Sequence, residues 1–155
     1  MAEGKVISLH TTVRMSESMD EVRYLKCIAG KGIDGDRYLL GTGTYSKKPE
    51  PGRQLTIIEI EELEALEKVG LRCTANQSRR NVVCKGIRLN DLVGKEIMVG
   101  EVRLMVHRLC QPCLYLENKL EQPGLKDALL DKGGLKCEIL SDGEIKPDDV
   151  IKLAD

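Results

Sequence analysis

Phenylalanine and tryptophan are absent from this chain of 155 residues, which has only four tyrosines. Modules that bind single-stranded DNA or RNA stack bases on aromatic side chains, so this composition argues against that class. The net charge of -1 also provides no basic excess to attract a phosphate backbone. We therefore expect a core of Ile, Leu, Val and Met, and no nucleic-acid partner.

Long apolar runs and targeting signals are also missing. No run approaches the ~20 residues that span a bilayer, and the first residues lack the basic-then-apolar pattern of a signal peptide. We expect no membrane partner and a cytoplasmic protein whose thiols are reduced. Six cysteines in 155 residues are too few for a disulfide scaffold. The length predicts a single domain, residues 1–155, that buries about two-thirds of its unfolded surface.

The apolar pattern predicts many short strands and two or three short helices. Residues 92–109 are interpreted as two strands joined at residues 99–101, and Ile60, Leu63, Leu66 and Val69 have helical spacing. The remaining predicted strands are residues 5–12, 22–29, 54–60, 81–84, 136–140 and 149–153, with a turn at Asp142-Gly143 between the last two. The remaining predicted helices are residues 113–119 and 124–132, and Gly133-Gly134 is predicted to end the second of them. This order predicts a mainly β, largely antiparallel protein with a closed or nearly closed barrel.

The most informative segment is Cys110-Gln111-Pro112-Cys113, which follows the last of these patterned strands. Alternation along that strand places Arg108 and Cys110 on the same side as Val102, which we expect to be the interior. Four interpretations fit the two thiols: buried packing residues, zinc ligands together with His107, a redox pair, or one activated thiolate. Zinc would need a fourth ligand, and a thioredoxin-type pair would need a preceding βαβ unit.

Other polar residues receive simpler interpretations. Residues 30–38 match no phosphate-binding motif and are predicted to form a loop in which Asp34 and Asp36 are surface residues. Arg79, Arg80 and Asn81 form either a solvated strand edge or a clamp for an anion, since guanidinium forks match phosphate oxygens. His10 is predicted at the surface and His107 on a strand, partly buried. The four remaining cysteines are predicted to be packing residues: Cys27, Cys73, Cys84 and Cys137.

Several stretches, taken together and in order, resemble the MOSC family, which is named for the C-terminal domain of molybdenum cofactor sulfurase. The resemblance is to its short stand-alone bacterial-type members, and it spans most of the chain. The stretches are Gly35-Asp36-Arg37-Tyr38, Gly52-Arg53-Gln54-Leu55-Thr56, Ser78-Arg79-Arg80-Asn81-Val82-Val83, Leu92-Val93-Gly94, Gly100-Glu101-Val102-Arg103-Leu104 and Leu109-Cys110-Gln111-Pro112-Cys113.

The resemblance implies a β-barrel with a role in molybdenum cofactor binding or sulfur transfer. It implies that Cys113 carries sulfur or binds molybdenum, with Cys110 as a secondary candidate. It also implies that Arg79 and Arg80 bind the anionic phosphate of the cofactor, and we predict Asn81, Arg108 and Arg53 as further cofactor-binding residues. Relatives often have histidine where this chain has Tyr38, so any chemistry performed by that histidine would be lost here. At family level there is also an association with pyridoxal phosphate binding.

Three functions therefore remain open. The first is a molybdenum-dependent oxidoreductase or sulfur transferase, which would need a sulfur donor protein or a redox partner. The second is a non-catalytic carrier or chaperone of the pterin cofactor. The third is a small zinc-binding interaction module that uses His107, Cys110 and Cys113.

Overall fold

The architecture is a seven-stranded closed barrel with one additional edge strand and a small second sheet. It was obtained as a computed structural model, which describes residues 3–12, 19–36, 51–111 and 114–154. The described strands are β1 (Gly4–Thr11), β2 (Asp20–Val22), β3 (Leu25–Ile28), β4 (Gly32–Ile33), β5 (Leu55–Glu59), β6 (Val82–Lys85), β7 (Glu96–Val99), β8 (Val102–Leu109), β9 (Leu135–Ile139), β10 (Gly143–Ile145) and β11 (Val150–Leu153).

The barrel strands follow the order β11-β7-β8-β9-β5-β6-β1, and pairing of β1 with β11 closes the ring. Only β5 and β6 pair in parallel among these strands; the other six pairings are antiparallel. Strand β2 extends the sheet beyond β1, and β10, β3 and β4 form the second sheet. The predicted mainly β, largely antiparallel barrel is therefore confirmed.

Three short α-helices lie in the described part of the chain: α1 (Ile60–Ala65), α2 (Leu114–Leu120) and α3 (Leu125–Ala128). Three 3-10 turns accompany them: Pro51–Arg53, Leu66–Val69 and Leu89–Leu92. Gly70 ends the Leu66–Val69 turn in the left-handed conformation that favours glycine. None of the helices within the described ranges is long and apolar enough to cross a bilayer.

Two apolar clusters form the core, as alternation along the strands requires. In β5, Leu55 and Ile57 join the cluster that includes the barrel interior, whereas Ile58 joins a second cluster beneath the helices. Strand β6 divides its side chains in the same way, with Val82 and Cys84 in the first cluster and Val83 in the second. Strands buried on both faces explain why the sequence at β5 is continuously apolar rather than alternating.

Three predictions about local structure are wrong. Residues 22–29 are divided between β2 and β3, since residues 23–24 are not in a strand. The helix predicted over residues 124–132 is reduced to α3, which is followed by turns. The turn at Asp142-Gly143 does not join β9 to β11 as a hairpin, because β10 intervenes and pairs with β3 in the second sheet.

The predicted orientation of Arg108 is also wrong, and a β-bulge is the cause. The register of β8 against β9 shifts between Val106 and Arg108, so the alternation set by Val102 does not continue. Arg108 is exposed as a result, while Cys110 is buried with 6% of its surface accessible. A bulge adds one residue to one strand of a pair, and here it redirects the side chains just before the cysteine segment.

Glu59, at the end of β5, is an acidic side chain that combines deep burial with a raised pKa. Its side chain is only 7% exposed, and Oε2 accepts a hydrogen bond from Leu89 N at 3.4 Å. Burial raises the pKa of the Glu59 carboxyl and is the largest effect. The hydrogen bond from Leu89 N and the charge of Arg88 lower this pKa, and the charges of Glu62 and Glu61 raise it. Ionised Glu59 therefore opposes folding at neutral pH.

Replacing Glu59 by Gln should raise the free energy of unfolding at pH 7. The amide keeps an acceptor for Leu89 N but carries no charge. Because the folded pKa is raised, the native state binds more protons than the unfolded state above pH ~4.3, and stability is lost as pH rises through that window. Urea unfolding at pH 4 and pH 7 should show the gain chiefly at pH 7. The matched control is Glu64→Gln on the exposed face of α1; an equal gain there would contradict the prediction.

Candidate functional site

The buried side chain of Asn81 joins three separate segments of the chain. Its Oδ1 accepts hydrogen bonds from Thr56 N at 3.1 Å and from Thr56 Oγ1 at 3.2 Å. Its Nδ2 donates to the carbonyl oxygen of His10 at 3.1 Å and to Asp36 Oδ1 at 3.3 Å. An amide side chain can accept two hydrogen bonds and donate two, so the Asn81 side chain makes all of its possible hydrogen bonds within the protein.

Further bonds extend this group, which we call the Asn81 network: Asn81, Thr56, His10, Asp36 and Thr12. Thr12 N donates to the same oxygen of Asp36 at 3.3 Å, and Asn81 N donates to Thr56 Oγ1 at 3.1 Å. All five residues are buried. A buried polar cluster of this kind fixes one arrangement, since each lost partner would leave a desolvated group unpaired.

Two predictions for this region are wrong. Asp36 is fully buried instead of lying at the surface, whereas Asp34 is exposed as predicted.

His10 is also buried, with 1% of its surface accessible. Its Nδ1 lies 3.1 Å from Asn76 Oδ1 and its Nε2 lies 2.9 Å from Ser8 Oγ. Burial lowers the pKa of His10, although the Asn76 hydrogen bond and the charge of Glu21 raise it, so the neutral ring donates to Asn76 and accepts from Ser8.

The two predicted arginines differ in environment. Arg79 is 7% exposed and has the left-handed backbone conformation, with φ of 61°. Arg80 is half-buried and donates from Nε to the carbonyl oxygen of Gly133 at 2.9 Å and from Nη1 to that of Ser78 at 3.1 Å. Arg80 thereby fastens the start of β6 to residues 131–134, which precede β9.

Residues 131–134 also hold the end of β8. Cys110 N donates to the carbonyl oxygen of Gly134 at 2.7 Å. A Cβ atom at Gly133 would collide with the Cys110 carbonyl oxygen, and one at Gly134 would collide with the carbonyl oxygen of Ile57. Only glycine therefore allows these residues to lie between β8 and β5, beside the guanidinium of Arg80.

This contact brings together two motifs that are thirty residues apart in the sequence. Arg80 and Cys110 bind adjacent carbonyl groups, those of Gly133 and Gly134. Cys113 itself lies outside the described residues, as does Tyr38. The chain reaches Cys113 three residues after Cys110 and re-enters the described structure at Leu114, where α2 begins.

The other predicted site residues lie on the neighbouring surface. Arg53 is half-buried in the turn Pro51–Arg53, and Gly52 in that turn packs against His107 of β8. His107 Nε2 is 2.8 Å from Glu138 Oε1, with 36% of the His107 side chain exposed. Arg108 follows on the exposed side of the bulge.

The other four cysteines are confirmed as buried packing residues. Burial raises the pKa of the Cys73 thiol to about 11, partly offset by the charge of Arg80, and that of Cys27 to about 12. Burial raises the pKa of Cys84 and Cys137 further, with added contributions from Glu59 and Glu61 to Cys84 and from Cys110 to Cys137. These thiols stay protonated at neutral pH and are poor nucleophiles.

Metal binding receives no support from the described part of the chain. Among residues 3–12, 19–36, 51–111 and 114–154, no three His, Cys, Asp or Glu side chains are grouped so that they could hold a metal ion. Within these ranges His107 instead pairs with Glu138, and Cys110 is buried. The described residues therefore hold no complete ligand group for zinc, and Cys113, the third ligand of that interpretation, lies outside them.

A cavity of about 230 Å³ is lined by residues of β1, β2, β3 and β4. Thr11 and Asp34 line it, and each is close in sequence to a member of the network. It is also lined by Val22, Arg23, Tyr24, Leu25, Lys26 and Ile33. The walls of the cavity are therefore apolar and charged, with the cations of Arg23 and Lys26 and the carboxylate of Asp34.

Thr56→Val should destabilise the fold by about 2 kcal/mol, because the change removes a hydroxyl without altering shape and leaves Asn81 N without its acceptor. Thr56→Ser is the matched control, since it keeps the hydroxyl and loses only one methyl group. Chemical denaturation of both variants measures the difference. A loss from Thr56→Val no larger than that from Thr56→Ser would contradict the role assigned to this bond.

Comparison with solved structures agrees with the overall fold. YuaD from Bacillus subtilis superposes with a TM-score of 0.78 and 22% identity over 97% of both chains. YiiM from Geobacillus stearothermophilus gives a TM-score of 0.75 and 18% identity over 98% of this chain and 75% of that one. YiiM from Escherichia coli gives a TM-score of 0.69 and 16% identity over 100% of this chain and 70% of that one. At these identities the likeness establishes the fold.

No match is found among the curated proteins. The family model of the MOSC domain, however, matches residues 44–152. This range contains Arg80, Cys110 and the glycines that join them. The chain is therefore a member of the MOSC domain family, which is linked to molybdenum cofactor-related function.

Proposed function

We propose that this protein binds molybdenum cofactor, or accepts sulfane sulfur for that cofactor, through the thiolate of Cys113. The observation that carries the proposal is the attachment of Arg80 and Cys110 to adjacent carbonyl groups of residues 133 and 134. It supports a site in which a cysteine segment and a guanidinium group lie side by side. Such a pairing suits a ligand that has both a soft centre and an anionic group.

The described residues fit an anionic cofactor in a specific way. Arg80 donates to the protein through Nε and Nη1, which leaves Nη2 for a phosphate oxygen. Asn81 is fully hydrogen-bonded within the protein, so we assign it a supporting role in holding the start of β6. Arg53 and Arg108 lie near the end of β8 and would add positive charge. The cofactor, when bound, supplies the molybdenum centre and its redox chemistry.

For sulfur transfer, the Cys113 thiolate would attack the outer sulfur of a persulfide on a donor protein. The donor's S–S bond breaks, the donor cysteine leaves as a thiolate, and Cys113 becomes the persulfide. The step needs no external oxidant or reductant. A nearby guanidinium favours the thiolate form that starts this reaction.

Replacement of Cys113 by Ser tests the proposal. We expect purified wild-type protein to contain molybdenum by elemental analysis, or one extra sulfur on Cys113 by mass spectrometry, and the Cys113→Ser variant to contain neither. Serine preserves size but supplies no thiolate. Cys110→Ser is the matched control, and it should retain loading because Cys110 is buried. Equal loading of the wild type and of Cys113→Ser would refute the proposal.

Turnover separates an enzyme from a carrier. An oxidoreductase should reduce amidoximes or N-hydroxylated bases when a redox partner is supplied. The carrier, our second candidate, should hold cofactor in a one-to-one ratio without turnover.

A further inference from the structure

The side chain of Gln111 makes a two-point contact with Asp131. Gln111 Nε2 donates to Asp131 Oδ1 at 2.6 Å, and Gln111 Oε1 accepts from Asp131 N at 2.9 Å. Asp131 has the left-handed backbone conformation, with φ of 61°, which aspartate and asparagine adopt more readily than most residues. The NH₂ group and the carbonyl group of the Gln111 amide therefore both bind Asp131, which belongs to the same stretch of residues 131–134.

Asp131 is held in turn by a residue outside that stretch. Its carbonyl oxygen accepts a hydrogen bond from Asn90 Nδ2 at 2.8 Å. The contact thus connects the residue after Cys110 to the turn Leu89–Leu92. With Cys110 N bound to Gly134, two consecutive residues at the end of β8 are attached to residues 131–134.

We infer that Gln111 is a positioning residue, which holds the cysteine segment against residues 131–134 and hence beside Arg80. This inference rests on the proposed function. Gln111 touches no reacting atom in it; it acts by limiting the conformations of the chain that leaves β8. The chain from Gln111 to Cys113 spans at most about 7 Å, so attachment at Gln111 restricts where the Cys113 thiol can lie relative to Arg80 Nη2.

Variants that exchange the hydrogen-bonding groups of Gln111 and Asp131 test this inference. In Gln111→Glu the new carboxylate faces Asp131 Oδ1, so a hydrogen bond becomes a repulsion between like charges. In the double variant Gln111→Glu with Asp131→Asn, an amide donor faces a carboxylate again and the Asp131 backbone N–H keeps its acceptor. Asparagine also tolerates the left-handed conformation.

The first measurement does not depend on any cofactor. Cys110 is 6% exposed, so alkylation of its thiol requires local opening of the segment. Iodoacetamide labelling, followed residue by residue by mass spectrometry, should be roughly five- to tenfold faster at Cys110 in Gln111→Glu, as expected for the loss of about one hydrogen bond. The double variant should return to the wild-type rate.

A matched control distinguishes positioning from general loss of stability. Gln122 Oε1 accepts a hydrogen bond from Arg72 N at 3.2 Å, so Gln122→Ala removes a comparable loop contact away from β8. It should leave the alkylation of Cys110 unchanged. An unchanged rate in Gln111→Glu, or equal acceleration in Gln122→Ala, would overturn the inference.

Cofactor loading then separates this inference from the proposed function. If Cys113→Ser loses loading but Gln111→Glu keeps it in full, positioning by Gln111 is wrong and the proposed function stands. If wild-type protein carries neither molybdenum nor extra sulfur, the proposed function fails, while the alkylation rates still decide whether Gln111 holds the segment. Restored loading in the double variant would support both.

Discussion

The stretch of chain at residues 131–134 is the constraint on which the candidate site depends. Gly133 and Gly134 allow it to lie against β8 and β5 at distances that a Cβ atom would forbid. Their carbonyl groups then accept hydrogen bonds from Arg80 and from Cys110 N. Without this close approach, the barrel would still close through β1 and β11, but nothing described would hold the arginine beside the cysteine segment.

The Asn81 network supports the same region from the other side. By saturating its amide with Thr56, His10 and Asp36, Asn81 fixes the start of β6, and Arg80 immediately precedes it. Two contacts therefore set the position of Arg80. The Asn81 network holds the residue that follows it, and the carbonyl oxygen of Gly133 accepts a hydrogen bond from its guanidinium group. Rigid support of this kind keeps a binding group in place before the ligand arrives.

The barrel and the two regions of the site could be predicted from the sequence, whereas the connections between them could not. Alternation and turn residues predicted β7 and β8 because local periodicity reports which face is buried. The bulge after Val106 has no such signal, so alternation predicts the wrong side for Arg108. Polarity is the local cue and predicts Asp36 and His10 at the surface, whereas their burial depends on partners 45 and 71 residues away. The glycines at 133 and 134 suggested only the end of a helix, since a close approach between strands is not visible locally.

The most direct test of cofactor binding through Cys113 and Arg80 is a crystal structure of the protein loaded with molybdenum cofactor, phased on the anomalous scattering of molybdenum. We expect molybdenum bonded to Sγ of Cys113 and the cofactor phosphate within hydrogen-bonding distance of Arg80 Nη2. Cofactor bound elsewhere on the barrel, with Cys113 and Arg80 making no contact to it, would refute this site.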